Sequence, residues 1–191
     1  MRLPYDLIIM DLECNQPSQK IIEIGAVRLT RNFEIDTDTF QRFVNPNEPI
    51  ASEIATLCGF SDIEINLIGT AEALAHANRC FYEWATAKTK NVILASWGNF
   101  DTSELHAQDP KCQFRRKSLD IKSIAAWEMA RWGLKATNSL SASCGAFSVA
   151  VQNPPHRALP DARTTALLLQ EMWAKNVRFK EALSFAAKAL A

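Results

Sequence analysis

The chain has 191 residues, 48% of them hydrophobic, and its 21 basic side chains match its 21 acidic ones. This length and apolar content predict a single domain over residues 1–191 with a sizeable core. A formal net charge of zero argues against a protein that coats nucleic acid through bulk positive charge. Five scattered cysteines without a Cys-x-x-Cys pair argue against a zinc site or a disulfide framework and favour a reducing, cytoplasmic location. We expect no signal peptide and no membrane span.

Apolar runs, turn residues and capping residues predict three strands followed by alternating helices and strands. The near-continuous apolar run at residues 5–12 is typical of a central strand covered on both faces. Ser52 and Thr70 are candidate N-caps of the first two helices. The remaining predicted elements are strands at 20–30, 33–44 and 92–96, and helices at 118–132, 138–147, 161–174 and 178–190. This order favours an α/β sandwich in which helices flank a mixed central sheet.

Two carboxylates end the first predicted strand. Asp11 and Glu13 are two residues apart, so both side chains emerge on one face of the strand. Such a pair can bind a metal ion, but it can also be a solvated charge pair. Its position favours a site, because open α/β sheets bind their ligands at the ends of strands.

A third carboxylate, Asp101, follows the short apolar run at residues 92–96. One interpretation makes Asp101 the N-cap of a helix over 102–108, which is a common use of Asp. The other places it in the same cleft as Asp11 and Glu13. The two roles are compatible, since the first turn of a helix also favours an anionic group.

A histidine and a fourth carboxylate, His156 and Asp161, are five residues apart. Pro160 predicts a helix start and so places Asp161 in a first turn, whereas two prolines before His156 hold it in a loop. An imidazole can take a proton from an attacking water near neutral pH. Four clustered carboxylates repel one another unless cations lie between them, and hard oxygen ligands suit Mg²⁺ or Mn²⁺. The combination predicts a metal-dependent nuclease.

In this order, the motifs resemble those of the DEDDh exonucleases in the DnaQ-like superfamily, most closely the Eri-type RNA exonucleases and RNase T-like enzymes. The resemblance extends from about residue 5 to residue 173. The matching segments are D-L-E at 11–13, I-I-E-I-G-A-V at 21–27, F-V-N-P at 43–46, L-C-G-F at 57–60, N-F-D at 99–101 and H-R-A-L-P-D-A at 156–162.

The resemblance implies a ribonuclease-H-like three-layer fold and hydrolysis that releases nucleoside monophosphates from 3′ ends with two divalent metal ions. It implies that Asp11, Glu13, Asp101 and Asp161 are the metal ligands and that His156 is the general base. The expected substrate is single-stranded nucleic acid, with RNA slightly favoured over DNA. No membrane partner is expected, and a homodimer or a larger complex stays open.

The resemblance also implies six contacts to nucleic acid: Leu12, Cys14, Asn15, Phe60, Asn99 and Arg157. Phe60 is either a stacking residue or a core residue after a short helix. The cluster Arg115-Arg116-Lys117 either follows the backbone of a single strand or is a solvated loop. Two other classes stay open, namely a DnaQ-like binding or scaffold protein with weak or no catalysis, and a phosphodiesterase that acts on small esters.

Overall fold

The fold is given by a computed structural model, which describes residues 2–175 together with 179, 180, 183, 186 and 189. Most of the helix predicted at 178–190 lies outside the described residues. The strands are β1 (Asp6–Cys14), β2 (Ile21–Leu29), β3 (Ile35–Phe43), β4 (Val92–Ser96) and β5 (Leu119–Asp120). The helices are α1 (Ser52–Cys58), α2 (Asp62–Thr70), α3 (Leu74–Thr86), α4 (Phe100–Gln108), α5 (Ile121–Arg131), α6 (Leu140–Phe147) and α7 (Ala158–Lys175).

The five strands form one mixed sheet in the order β3-β2-β1-β4-β5. β1 pairs antiparallel with β2 and parallel with β4, while β3 and β5 extend the sheet on either side. Helices α5, α6 and α7 pack on one face, and helices α3 and α4 pack on the other. The predicted α/β fold with helices on both faces of a mixed sheet is confirmed. No helix among the described residues is both long enough and apolar enough to cross a membrane.

The alternation of side chains along β1 positions the site. Leu7 and Ile9 are buried in the core under α5, α6 and α7, whereas Ile8 and Met10 are buried on the opposite face. Because the side-chain period of a strand is two residues, Asp11 and Glu13 continue the Leu7 and Ile9 face. The same row of residues therefore changes from core to carboxylate where β1 ends.

The helices between β3 and β4 begin at other residues than predicted. Ser52 is the first residue of α1 rather than its cap, and Thr70 ends a helix that the prediction omitted, α2. The sequence carried a signal for α2, because Ser61 and Glu64 form a reciprocal capping box. The chain then enters α3 at Leu74 without a side-chain cap.

Asp101 is not a helix cap. Helix α4 begins one residue earlier, at Phe100, and Asn99 occupies the N-cap position without a side-chain hydrogen bond. Helix α7 likewise begins three residues before Asp161, at Ala158, so Asp161 lies in its first turn as predicted. The two-residue strand β5 was not predicted, since two residues carry no periodic signal.

Candidate active site

Three of the four predicted carboxylates come together at the end of β1. Asp11 and Glu13 from β1 and Asp161 from α7 each offer a carboxylate oxygen, and these oxygens lie within 4.8 Å of one another. None of the ion pairs found among the described residues involves these three side chains. No lysine or arginine in this part of the chain pairs with the three acids to relieve their mutual repulsion, and the oxygen donor set fits a hard divalent metal ion.

The electrostatics of the group show that negative charge is crowded here. Burial, and then the charges of Asp101 and Glu13, raise the pKa of Asp11 well above its usual value. Burial and the nearby Glu23 raise the pKa of Glu13 to about 8, although the Cys58 thiol opposes this by donating to Glu13 Oε2 at 3.6 Å. Burial also raises the pKa of Asp161. A bound cation would favour the ionised form of all three.

The fourth carboxylate, Asp101, is attached to the backbone of β1. Its Oδ1 accepts a hydrogen bond of 3.2 Å from the Leu12 backbone N–H, between the two β1 acids. Burial raises its pKa to about 6, and the hydrogen bond from Leu12 acts in the opposite direction. Asp101 does not join the group of three carboxylates, but its charge is one of those that raise the pKa of Asp11.

Gly25 allows α7 to bring Asp161 to the other two acids. It pairs with Asp11 across β1 and β2, and a Cβ built on it would lie 2.1 Å from the Leu159 nitrogen and 2.2 Å from the Ala158 carbonyl carbon. Real Cβ atoms do not approach backbone that closely, so only glycine lets the first turn of α7 lie on the sheet here. Asp161 comes two residues after Leu159 in the chain, so this contact sets the position of its side chain.

The loop before α7 carries His156. This residue lies exposed outside the helix with a φ of 56°, a left-handed conformation that is uncommon for a non-glycine residue. Its backbone N–H donates to Asp161 Oδ2 at 3.0 Å. The loop conformation therefore links the histidine to a carboxylate of the candidate metal-binding group.

Glu23 is a site residue to which the sequence analysis assigned no role. It is fully buried beside Glu13 in the β1–β2 ladder and accepts two hydrogen bonds from Arg157, at 3.1 and 3.2 Å. It also accepts from the Gln41 amide at 2.6 Å and from the Ala158 backbone N–H at 3.3 Å. The signal for this role was a single acid within the apolar segment 21–27, because a buried acid requires a partner.

Arg157 was predicted to contact nucleic acid, but the structure uses it inside the protein. It bridges Glu23 and Glu64, with the second ion pair at 2.9 Å, and its guanidinium lies 4.8 Å from the centroid of the Phe60 ring. These contacts join β2, α2 and the start of α7. Arg157 therefore fixes the position of the loop that carries His156.

Three further predicted contacts are residues of the interior or of a loop anchor. The Leu12 side chain lies in the core on the α3 and α4 face, and Cys14 packs half-buried against the same cluster. Asn15 is buried, and its amide donates to Glu48 and to the Pro49 carbonyl and accepts from the Ala51 N–H. The Asn15 side chain therefore uses its hydrogen bonds to anchor a turn and not to bind a ribose.

Phe60 is 8% exposed and packs among Ile22, Cys58 and Ile68, which favours the core interpretation over the stacking one. Asn99, by contrast, is exposed beside the site. The next residue, Phe100, was not proposed as a contact, yet its ring is 48% exposed immediately before Asp101. An exposed aromatic ring at this position was not readable from the sequence, because residue 100 could equally have faced the core.

The basic cluster Arg115-Arg116-Lys117 is exposed in the loop between α4 and β5. Arg115 and Lys117 line a cavity of about 220 Å³ together with Val92, the first residue of β4. Since β4 runs parallel to β1 and the carboxylates lie at the other end of β1, this cluster is at the opposite end of the sheet from the site. That placement favours the solvated-loop interpretation.

Comparison with known proteins agrees with this geometry. Residues 8–169 match the RNase_T family, described as exonuclease. A DNA polymerase III of the PolC type from Caldanaerobacter subterraneus subsp. tengcongensis is 30% identical over 176 residues, which is 91% of this chain. This chain spans only 12% of the length of that polymerase.

Two solved structures share the fold at low sequence identity. The cell-death related nuclease 4 aligns with a TM-score of 0.78 and 19% identity, over 90% of this chain and 65% of its own. The nuclease domain of 3′hExo, described as a DEDDh family member bound to rAMP, aligns with a TM-score of 0.73 and 19% identity, over 92% of this chain and 96% of its own. Since the family match covers most of the chain and includes every carboxylate described above, the chain belongs to the RNase_T exonuclease family.

Proposed function

We propose that this protein is a metal-dependent 3′–5′ exonuclease that releases nucleoside monophosphates from single-stranded nucleic acid. The observation that supports this most directly is the convergence of Asp11, Glu13 and Asp161 within 4.8 Å, with no lysine or arginine among the described residues paired to them. The family match over residues 8–169 adds to this support. A binding or scaffold protein with a lost site would have no need to keep a repulsive set of acids intact.

In this proposal, Asp11, Glu13 and Asp161 hold two Mg²⁺ or Mn²⁺ ions, and Asp101 assists from its position on the β1 backbone. When bound, the ions neutralise charge on the scissile phosphate and make a water nucleophilic near neutral pH. His156 takes the proton of the attacking water, since its loop joins it to Asp161 while leaving the ring exposed. Phe100 offers an exposed ring on which a terminal base can stack.

We propose RNA as the slightly preferred substrate, as the sequence resemblance favours, and DNA as the direct comparison because the PolC-type relative is a DNA polymerase. The test is a time course on single-stranded RNA and DNA, labelled at either end, with Mg²⁺ or Mn²⁺. With a 3′ label, the first labelled product should be a mononucleotide. With a 5′ label, the labelled oligonucleotide should shorten one residue at a time. Fragments of middle length appearing first would instead show an endonuclease.

The matched variant is Asp11→Asn, which removes a ligand charge with almost no change in volume. We expect it to lose nearly all turnover while its free energy of unfolding stays equal or rises, because one repulsive charge is gone. Near-parental activity in the folded variant would contradict the assignment. Hydrolysis of small phosphodiesters with none of oligonucleotides would favour the phosphodiesterase alternative.

A further inference from the structure

A polar cavity lies on the other side of α7 from the carboxylates. It has a volume of about 270 Å³, and its polar lining residues are Gln41, Gln152, Asn153, Arg157 and Arg163. None of the described residues that line it is acidic. Gln41 pairs with Gly25 in the β2–β3 ladder, and Gly25 pairs with Asp11, so one cross-strand row connects the cavity to the site beneath the first turn of α7.

The charge of this cavity can be assigned residue by residue. The Arg157 guanidinium is paired with two carboxylates, those of Glu23 and Glu64. Arg163 is exposed, and in the described part of the chain it forms neither an ion pair nor a hydrogen bond with a neighbour. Among the described residues, Arg163 is therefore the one cation of the cavity lining without a carboxylate partner, and it lies beside the side-chain amides of Gln152 and Asn153.

The geometry of α7 separates this charge from the metal-binding group. Arg163 follows Asp161 by two residues, which is a rotation of about 200° around a helix. The Asp161 side chain thus faces β1 and the acids, whereas Arg163 faces the opposite side. A strand with its 3′ end at the acids can pass over the start of α7 and reach Arg163 without approaching a carboxylate of the cavity.

We infer that this cavity binds a phosphodiester of the substrate strand, upstream of the scissile one, through Arg163. The inference deepens the proposed function and rests on it. One guanidinium without a carboxylate partner matches the single charge of an internal phosphodiester better than the higher charge of a free phosphate or a mononucleotide. Because Gln152 and Asn153 lie in the same loop as His156, a ligand in the cavity would also contact that loop.

The test compares three variants that each remove one positive charge. Arg163→Ala removes the proposed contact. Lys122→Ala removes a cation that packs against Gly98 and would serve a strand leaving past α4 instead. Arg2→Ala is the matched control, because Arg2 is exposed before the start of β1, at the opposite end of the sheet from the acids.

Binding is measured by fluorescence anisotropy with an eight-residue phosphorothioate oligonucleotide and Mg²⁺ over a range of salt concentrations. Arg163→Ala should weaken binding about tenfold and reduce the slope of log Kd against log salt by about 0.7, the value for one lost phosphate contact on a single strand. Arg2→Ala should leave both quantities near those of the parent. Equal slopes for all three variants, or a loss confined to Lys122→Ala, would overturn the inference.

A second measurement separates this inference from the proposed function. The p-nitrophenyl ester of thymidine 5′-monophosphate carries one phosphate and has no upstream phosphodiester for the cavity to bind. Its turnover should be unchanged in Arg163→Ala, while kcat/KM on the oligonucleotide falls. An equal loss on both substrates would overturn the cavity assignment. A parent that binds the oligonucleotide through Arg163 but hydrolyses neither substrate would sink the proposed activity and leave the binding inference standing.

Discussion

Gly25 and Leu159 are in backbone contact, because a Cβ on Gly25 would lie 2.1 Å from the Leu159 nitrogen. Asp11 is the neighbour of Gly25 on β1, and Asp161 follows Leu159 by two residues. One close approach of a helix to a strand thus sets the separation between two of the three acids that meet at the site.

We expect Gly25→Ala to displace the first turn of α7. The loss of binding free energy for Mn²⁺ should exceed the loss in the free energy of unfolding. Overpacking of this kind costs about 1–3 kcal/mol or more of the free energy of unfolding. The matched control is Gly145→Ala on α6, where a Cβ meets nothing within 4 Å and where Ala should stabilise the helix by up to about 1 kcal/mol. Calorimetric titration with Mn²⁺ and denaturant unfolding of both variants measure the difference. Parental metal affinity in folded Gly25→Ala would separate the glycine from the site.

Arg157 should behave as a structural residue rather than a nucleic-acid contact. Arg157→Ala leaves the fully buried Glu23 carboxylate without its cation, and breaking one side of such a pair costs about 3–5 kcal/mol. Arg163 is exposed in the structure, so Arg163→Ala should change the free energy of unfolding by less than about 0.5 kcal/mol. Urea unfolding of the two variants decides this. Equal stabilities would show that Glu23 is satisfied without Arg157.

How far the sequence predicts the site depends on the range of the interactions involved. The acids at 11, 13 and 161 could be predicted because each is tied to a local pattern, the end of an apolar strand or the first turn of a helix. The partners of Glu23 and Asn15 could not, since Arg157 is 134 residues from Glu23 and Ala51 is 36 residues from Asn15. Only the folded chain brings these groups together.

The same limit explains the predicted contacts that the structure places elsewhere. The position of a residue in a motif does not reveal which way its side chain points. Leu12 and Phe60 both point into the protein interior, each into a different core cluster. Asp101 illustrates the intermediate case. Its proximity to Asp11 followed from the motif, but its hydrogen bond to the Leu12 N–H depends on how α4 leaves β4.

The metal-free protein should lose stability as pH rises. Unfolded carboxyl groups titrate near pH 4, whereas burial raises the pKa of Asp101 to about 6 and that of Glu13 to about 8. The folded state therefore binds more protons between these limits, and the free energy of unfolding falls from about pH 4 to about pH 8. Glu13→Gln should flatten the upper part of this decline.

Thermal unfolding at pH 5, 6, 7 and 8 in EDTA measures the effect, and Mn²⁺ or Mg²⁺ should restore stability most at the highest pH. Metal binding should also release protons, because the ions require ionised carboxylates. Titration calorimetry in two buffers of different ionisation enthalpy counts these protons. An EDTA-treated protein that is most stable at pH 8 would contradict the crowding of charge described at the site.

Replacing Phe100 should affect substrate binding and not stability, whereas replacing Phe60 should affect stability. Phe100→Ala removes a half-exposed ring, so we expect KM for oligonucleotides to rise by the equivalent of about 1–3 kcal/mol of stacking while stability is unchanged. Phe60→Ala removes a buried ring and should cost about 3–5 kcal/mol of the free energy of unfolding. Steady-state kinetics and denaturant unfolding on both variants test this. A KM unchanged in Phe100→Ala would remove the ring from substrate binding.

The last prediction concerns His156, and its backbone conformation dictates the variant. At a φ of 56° most replacements add strain, but glycine adopts this conformation freely, so His156→Gly removes the imidazole and keeps the loop. Loss of a general base should lower kcat by roughly 10²–10⁴-fold. Mn²⁺ affinity should stay near that of the parent, because the imidazole is not among the proposed ligands.

The exposure of His156 supplies a sharper measurement. Free imidazole added to His156→Gly can enter the space left by the side chain and accept the proton in its place, so it should restore part of the rate. The control is Asp161→Asn, in which a proposed metal ligand is lost and added imidazole should restore nothing. A structural role for the histidine predicts no rescue in either variant. Lost Mn²⁺ affinity in His156→Gly would instead place the imidazole among the ligands.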